Sequence, residues 1–166
     1  MIRILSKYGI MFFTLVLVQV LILNQVQFSG FFNPYIYILF VLLFPLNAPR
    51  WASLVFAFLI GFIIDVFSNT LGVHSAATVF IAYIRPFILR LISNREDDRD
   101  YPGLSKTNPG WFITYALIMV FIHHFILFYL EVYTFSHFFS TLYRVVLSTF
   151  FSVVVIILSQ FLVFKE

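Results

Sequence analysis

The chain has 166 residues, of which 62% are hydrophobic, 21% are aromatic and only 10% are charged, with a formal net charge of +3. A water-soluble domain carries roughly 25% charged residues, so this composition indicates a polytopic membrane protein and excludes a soluble catalytic or receptor domain. The absence of cysteine excludes disulfides and thiolate chemistry, and the ten basic residues are too few for a nucleic-acid-binding groove.

Apolar runs separated by short polar breaks predict an all-α integral membrane protein that forms one polytopic domain over residues 1–166. The predicted six transmembrane helices cover residues 8–23, 32–47, 51–67, 71–92, 111–130 and 140–164, with a cytoplasmic loop at 93–110. The run at 32–47 is the weakest, because as a helix it reaches only about 24 Å, less than the ~30 Å hydrocarbon core. A tilted short helix and a re-entrant segment are both compatible with its length.

The distribution of basic residues predicts the orientation of these helices. If the N-terminus is cytoplasmic, nine of the ten basic residues fall on inner segments, and only Arg144 falls on the outer half. Five spans would place Lys165 and the N-terminal basic pair on opposite sides. The positive-inside rule therefore favours six spans with both termini in the cytoplasm.

A seam of short side chains runs along the third predicted helix. Ser53, Ala57, Gly61 and Asp65 recur every four residues, a spacing that lets another helix approach closely. The polar turn that follows, residues 68–70, is predicted to reverse the chain and cap the fourth helix.

The sixth predicted helix carries a comparable seam of Arg144, Ser148 and Ser152. Asp65 and Arg144 have similar predicted depths, and an ionisable residue in a membrane span usually needs a partner. One hypothesis is therefore an Asp65–Arg144 contact that joins the third helix to the sixth. The alternative is that Asp65 accepts amide hydrogen bonds at the start of the fourth helix while Arg144 reaches outward.

Three histidines lie in the predicted spans. His74 faces the same turn as Asp65, so the two could form a couple that relays protons or holds a ligand, although a hydrogen bond to backbone or lipid headgroups is commoner. His123 and His124 are adjacent and point about 100° apart on a helix, so no metal site is expected there. His124 and Glu131 share a face and could form an interhelical polar patch. No nucleophile with a base is visible, so no enzymatic activity is expected.

The hairpin resembles the rod shape-determining protein MreD family. The resemblance rests on a glycine four residues before an intramembrane aspartate, a short polar turn, a following helix that opens with Leu71-Gly72-Val73-His74, and the exit Tyr83-x-Arg85-Pro86. Asp65, Gly72 and His74 are the positions at which family-typical residues would be expected. The family is also similar in architecture to the six-helix substrate-binding subunits of energy-coupling-factor transporters.

The resemblance implies a non-enzymatic scaffold of the cell-elongation complex in the bacterial inner membrane, without cofactor or metal. Its implied partners are an MreC-like single-span protein, a RodA-type polymerase with its transpeptidase, and MreB filaments that reach the cytoplasmic loop. Such a scaffold would couple the filaments to peptidoglycan synthesis and to the regulation of cell shape. Its other contacts would be with membrane lipids and not with nucleic acid.

The competing function is a solute-binding membrane subunit of a transporter. It would use Asp65, His74, Glu131 and Arg144 to bind a small solute near the outer face. A transporter subunit predicts an enclosed polar cavity among helices three to six, whereas a scaffold predicts a filled interior with an exposed lateral surface.

Overall fold

The computed structural model describes residues 2–25, 33–92, 103, 108–133 and 137–162. Within these residues the chain forms the α-helices α1 (Ile2–Leu21), α2 (Ile38–Leu43), α3 (Arg50–Ser68), α4 (Val73–Ile92), α5 (Pro109–Val132) and α6 (Phe138–Leu162), and a 3-10 turn (Leu23–Gln25) follows α1. Among the described residues, five stretches are long and apolar enough to cross a membrane, namely Lys7–Gln25, Arg50–Ser68, Val73–Ile92, Pro109–Val132 and Phe138–Phe161. The prediction of a multi-pass, all-α membrane protein is confirmed at this level.

The long helices form a row in which neighbours in sequence are neighbours in space. Helix α3 packs extensively on α4, α4 packs on α5, and α5 packs on α6, while α1 contacts α3. The short helix α2 contacts α1, α3, α4 and α5. The segment that contains α2, residues 34–44, therefore lies at the centre of the bundle, and we call it the central segment. Most of the predicted loop at 93–110 is outside the described residues.

The predicted transmembrane helix at 32–47 is wrong in extent. Only the six residues of α2 are helical there, a length of about 9 Å, and residues 33–36 have no regular structure. Pro34 lacks an amide donor, and Phe44 adopts an extended conformation (φ −58°, ψ 140°) directly before Pro45, a position where the helical conformation is disfavoured.

The non-helical part of this central segment is hydrogen bonded to two helices that are distant in the sequence. The Tyr35 amide donates to Ser152 Oγ on α6 at 2.9 Å, and the Ile36 amide donates to Gln19 Oε1 on α1 at 2.8 Å. Gln19 Nε2 also donates to the Pro34 carbonyl at 3.3 Å. Irregular backbone is tolerated at membrane depth only where protein satisfies its polar groups, and these side chains meet that condition.

The other end of the central segment is held by a buried arginine. Arg85 is only 4% exposed, and its Nη2 donates to the carbonyls of Leu42 and Phe44. Its Nε donates to Tyr115 Oη at 2.8 Å, and that hydroxyl donates to the Leu42 carbonyl at 3.3 Å. The carbonyls of Leu42 and Phe44, which have no intrahelical partners, are therefore satisfied by α4 and α5.

The predicted turn after α3 is confirmed, but the prediction that residues 68–70 also cap α4 is wrong, because the first amides of α4 donate to Asp65. Asn69 caps the end of α3 in the left-handed region (φ 59°), and its amide donates to the Asp65 carbonyl. Gly72 directly precedes α4 and also has a positive φ, of 85°.

Substituting Gly72 with alanine is expected to lower the free energy of unfolding by about 1 kcal/mol, because a Cβ is disfavoured in the left-handed region. A Cβ at this position would meet no atom within 4 Å, so the cost would come from the backbone alone. Reversible unfolding in mixed detergent micelles measures it. G72N is the matched control, since asparagine adopts this conformation more readily, and an equal loss in both variants would contradict the backbone explanation.

Candidate functional site

The small-residue seam of α3 makes a close helix contact, but its partner is α4 and not α6. A Cβ built on Gly61 would lie 2.6 Å from Ser75 Cα and 2.9 Å from the His74 carbonyl oxygen. These are backbone atoms, so only glycine permits the observed approach. Ala57 and Asp65, one helical turn before and after Gly61, are also buried.

Asp65 lies at the end of this seam and accepts five hydrogen bonds. Its Oδ1 accepts from Thr70 Oγ1 at 2.6 Å, from the His74 amide at 3.0 Å and from His74 Nδ1 at 3.1 Å. Its Oδ2 accepts from the Ser75 amide at 2.8 Å and from Ser75 Oγ at 2.6 Å. The carboxylate is almost completely buried, at 3% exposed. We call Asp65, Thr70, His74 and Ser75 the turn cluster.

The turn cluster caps α4 with a carboxylate from α3. The amides of His74 and Ser75 belong to the first turn of α4, where backbone donors have no intrahelical acceptor. A side chain just before the helix normally accepts from them, but Gly72 occupies that position and has none. Asp65 supplies the missing acceptor, as the amide-bonding alternative in the sequence analysis anticipated, and its negative charge is favourable at a helix N-terminus.

The hypothesised Asp65–Arg144 contact is wrong. Arg144 Nη1 forms a salt bridge with Glu131 Oε2 at 3.1 Å, and its guanidinium lies 4.1 Å from the centre of the Phe128 ring. Both partners are on α5, because α6 packs on α5 whereas α3 packs on α4. Arg144 therefore joins the last two helices, and Asp65 finds its donors within ten residues of its own position.

A double-mutant cycle with E131Q and R144Q is expected to give a coupling free energy below about 1 kcal/mol. The Arg144 and Glu131 side chains are 25% and 41% exposed, and partly solvated ion pairs contribute little. The cycle is measured by reversible unfolding at low and high salt, where screening should reduce the coupling further. A coupling of several kcal/mol that is insensitive to salt would contradict this prediction.

Aromatic and histidine rings fill the space beside the turn cluster. The Tyr35 ring centre lies 5.5 Å from that of His74 and 5.4 Å from that of His124. Tyr37 Oη hydrogen bonds to His123 Nε2 at 2.9 Å. We call these five residues the ring cluster. It brings α4 and α5 against the central segment.

One chain of hydrogen bonds fixes the tautomer of His124. Its Nδ1 lies 2.7 Å from the Val120 carbonyl, which can only accept, so Nδ1 carries the proton. Its Nε2 then accepts from Ser152 Oγ at 3.2 Å, and that oxygen in turn accepts the Tyr35 amide. Ser152 therefore connects α6 both to α5 and to the central segment. The structure does not pair His124 with Glu131, which bonds to Arg144 instead.

The remaining predicted site residue, Ser148, is fully buried, and its hydroxyl has no hydrogen-bond partner within the part of the chain that the structure describes. Sequence reasoning missed Tyr35, Tyr37 and Gln19 as members of the buried network. A signal was present for Gln19, since a glutamine inside an apolar run of the first span needs a partner. The two tyrosines gave no such signal, because tyrosine near a predicted boundary is ordinary in membrane proteins.

The two clusters are suited to fixing helix geometry. Ser75 Oγ donates to Asp65 and not to His74, so the three side chains do not form a nucleophile, base and orienting acid in series. In the described part of the chain, no group of three histidine, aspartate or glutamate side chains is arranged to hold a metal ion.

Comparison with known proteins yields no relative. The chain matches no protein-family model, no curated protein and no solved structure.

Proposed function

We propose that this protein is a non-enzymatic scaffold of the MreD type in the bacterial inner membrane. It binds an MreC-like single-span protein within the bilayer and couples MreB filaments to peptidoglycan synthesis by a RodA-type polymerase and its transpeptidase. The observation that carries the proposal is a bundle interior filled by the protein's own chain, in which the intramembrane polar groups join helices to one another.

The central segment occupies the space that a solute would need. Tyr37, Ile38, Leu39 and Leu42 are all 0% exposed. Both oxygens of the Asp65 carboxylate accept hydrogen bonds within the turn cluster. The salt bridge between Arg144 and Glu131 is separate from this cluster and joins α6 to α5. The four side chains of the transporter alternative therefore form two separate pairs, which favours the scaffold.

The path of the central segment supports six crossings of the membrane. Its Tyr35 lies beside His74 in the first turn of α4, and the carbonyl of its Phe44 accepts a hydrogen bond from Arg85, eleven residues further along α4. The ten residues from Tyr35 to Phe44, six of them in α2, reach about 20 Å. Together with the chain on either side of it, the segment would cross the bilayer as a partly non-helical, protein-covered span.

Contacts at the Arg85 end support placing both termini on one side. Tyr8 Oη, near the start of α1, donates to the Leu43 carbonyl at 3.4 Å. Gly103 lies against both Leu43 and Gln160, near the end of α6. Since Arg85 is also at this end, the positive-inside rule favours the cytoplasm, as the sequence predicts.

The two ends of the helix row offer a lateral surface for a partner helix. Among the described residues, α1 packs on α3 and α6 packs on α5, and α1 and α6 do not pack extensively on each other. Their exposed apolar side chains follow helical spacing and include Ile10, Phe13, Leu17, Phe150, Val154 and Leu158. A single transmembrane helix can pack against such a face without any catalytic group.

Co-purification in mild detergent with a single-span protein that has a periplasmic domain tests the scaffold. We expect such a partner to be retained, and depletion of the scaffold to convert rod-shaped cells to spheres. A photo-reactive residue at Phe13 or Phe150 should cross-link to the partner, whereas the same residue at Phe62, which is exposed on α3, should not. The proposal fails if cells keep their shape and no such partner is retained.

A solute-binding transporter subunit is the second candidate, and one observation favours it. His74 Nε2 and His123 Nδ1 are buried ring nitrogens without a hydrogen-bond partner among the described residues, and a small polar molecule could satisfy them. Thermal unfolding of the wild-type protein against a panel of small polar solutes tests this reading. A concentration-dependent stabilisation that H123L abolishes would favour the transporter subunit.

A further inference from the structure

A groove of about 680 Å³ opens at the Arg85 end of the bundle, between α3, α4 and the loop that leads into α3. Part of its wall is apolar and includes Leu46, Leu54 and Phe87. The volume falls within the range of cavities that hold small organic ligands, roughly 300–1,000 Å³. The groove is separate from the turn cluster and the ring cluster, none of whose residues line it.

Three arginines line this groove: Arg50, Arg85 and Arg90. Arg85 is buried, and its hydrogen bonds go to two carbonyls and a tyrosine hydroxyl, all of them neutral. Arg50 and Arg90 are exposed. Within the described residues, none of the three forms a salt bridge with a carboxylate. The groove therefore carries three positive charges that the described part of the chain does not neutralise, and it favours an anionic ligand.

The rim of the groove indicates that the anion belongs to a lipid. Trp51, next to Arg50, is 68% exposed, and Tyr83 and Phe87 on α4 are 72% and 69% exposed. Aromatic side chains of this kind sit at the headgroup level of a bilayer. Tyr83 and Phe87 also line the groove itself, so its apolar wall continues to the lipid-facing surface of α4.

We propose that this groove binds an anionic phospholipid. Arg50 and Arg90 bind the headgroup phosphate, and the buried Arg85 adds a third positive charge to the wall of the groove. An acyl chain lies along Leu46 and Phe87. Basic pockets between transmembrane helices are a known means of selecting anionic lipids. The site is independent of the scaffold assignment, because it uses none of the residues that argue for a partner helix.

Native mass spectrometry of the full chain tests the site. The purified protein in non-ionic detergent is mixed with equal amounts of phosphatidylglycerol and phosphatidylcholine, and the retained lipid is counted. We expect preferential retention of phosphatidylglycerol. R50Q and R90Q should each weaken that retention about fivefold, because each basic residue near an anionic lipid contributes about 1 kcal/mol.

The matched control is K7Q, which removes one exposed positive charge from α1 outside the groove. It should retain as much phosphatidylglycerol as the wild type, and size-exclusion chromatography checks that every variant is folded. Equal retention of the two lipids would overturn the proposal. An acidic protein segment would then be the next ligand to test. An equal loss in K7Q would mean non-specific attraction, and full displacement by inorganic phosphate would mean a free-anion site; either would overturn it.

Discussion

Replacing Asp65 with alanine is expected to lower the free energy of unfolding by about 3 kcal/mol. The carboxylate accepts five hydrogen bonds from Thr70, His74 and Ser75, and buried interhelical hydrogen bonds in membrane proteins contribute about 0.6 kcal/mol each on average. The variant would also leave the first turn of α4 without an acceptor for two of its amides. Reversible unfolding in mixed detergent micelles measures the loss.

Two matched variants separate the carboxylate from its individual donors. T70V removes one of the five bonds and S75A removes another while keeping the Ser75 amide bond, so each should cost only about 0.6 kcal/mol. D65N keeps one acceptor oxygen and should fall between these variants and D65A. If D65A unfolds no more readily than T70V, the turn cluster does not hold the α3 and α4 hairpin together.

Replacing Gly61 with alanine is expected to destabilise the protein by about 2 kcal/mol, within the range for overpacked cores. The new Cβ would lie 2.6 Å from Ser75 Cα and 2.9 Å from the Ser75 amide nitrogen. Because these are backbone atoms, α3 and α4 would have to separate. The separation would lengthen the Ser75 bonds to Asp65, one helical turn further along α3. In the same unfolding assay, the effect should appear despite the higher helix propensity of alanine.

Gly9 provides the control for this prediction. It lies in α1, and a Cβ there would meet no atom within 4 Å. G9A should therefore leave stability unchanged or raise it slightly through helix propensity. If G61A and G9A behave alike, the close approach of α3 and α4 is not what requires glycine at position 61.

Sequence reasoning was most successful where the relevant signal was local. The seam through Gly61, the turn at 68–70 and the amide-bonded alternative for Asp65 all concern residues within about fifteen positions of one another. The periodicity of short side chains was enough to predict that another helix approaches α3 closely, and the turn chemistry to predict that the chain reverses, but the helix expected at the seam was the sixth and not α4.

The errors concern which distant elements meet. Asp65 and Arg144 have similar predicted depths, but depth does not say which helices are neighbours, and each residue found a nearer partner. The prediction of a transmembrane helix at 32–47 failed for a different reason. Its buried apolar residues have the same composition whether they face lipid or the bundle centre, and the side chains that support its non-helical backbone, Gln19 and Ser152, lie on separate helices.

The non-helical part of the central segment also limits the order in which this protein can fold during synthesis. The Tyr35 amide depends on Ser152, which the ribosome adds 117 residues later. Until α6 is inserted, the Tyr35 amide would have to donate its hydrogen bond to water or to the insertion machinery, because hydrocarbon offers no acceptor. The N-terminal half is therefore expected to remain incompletely folded until α6 packs against it. Nascent chains that stop before α6 should be degraded by membrane proteases.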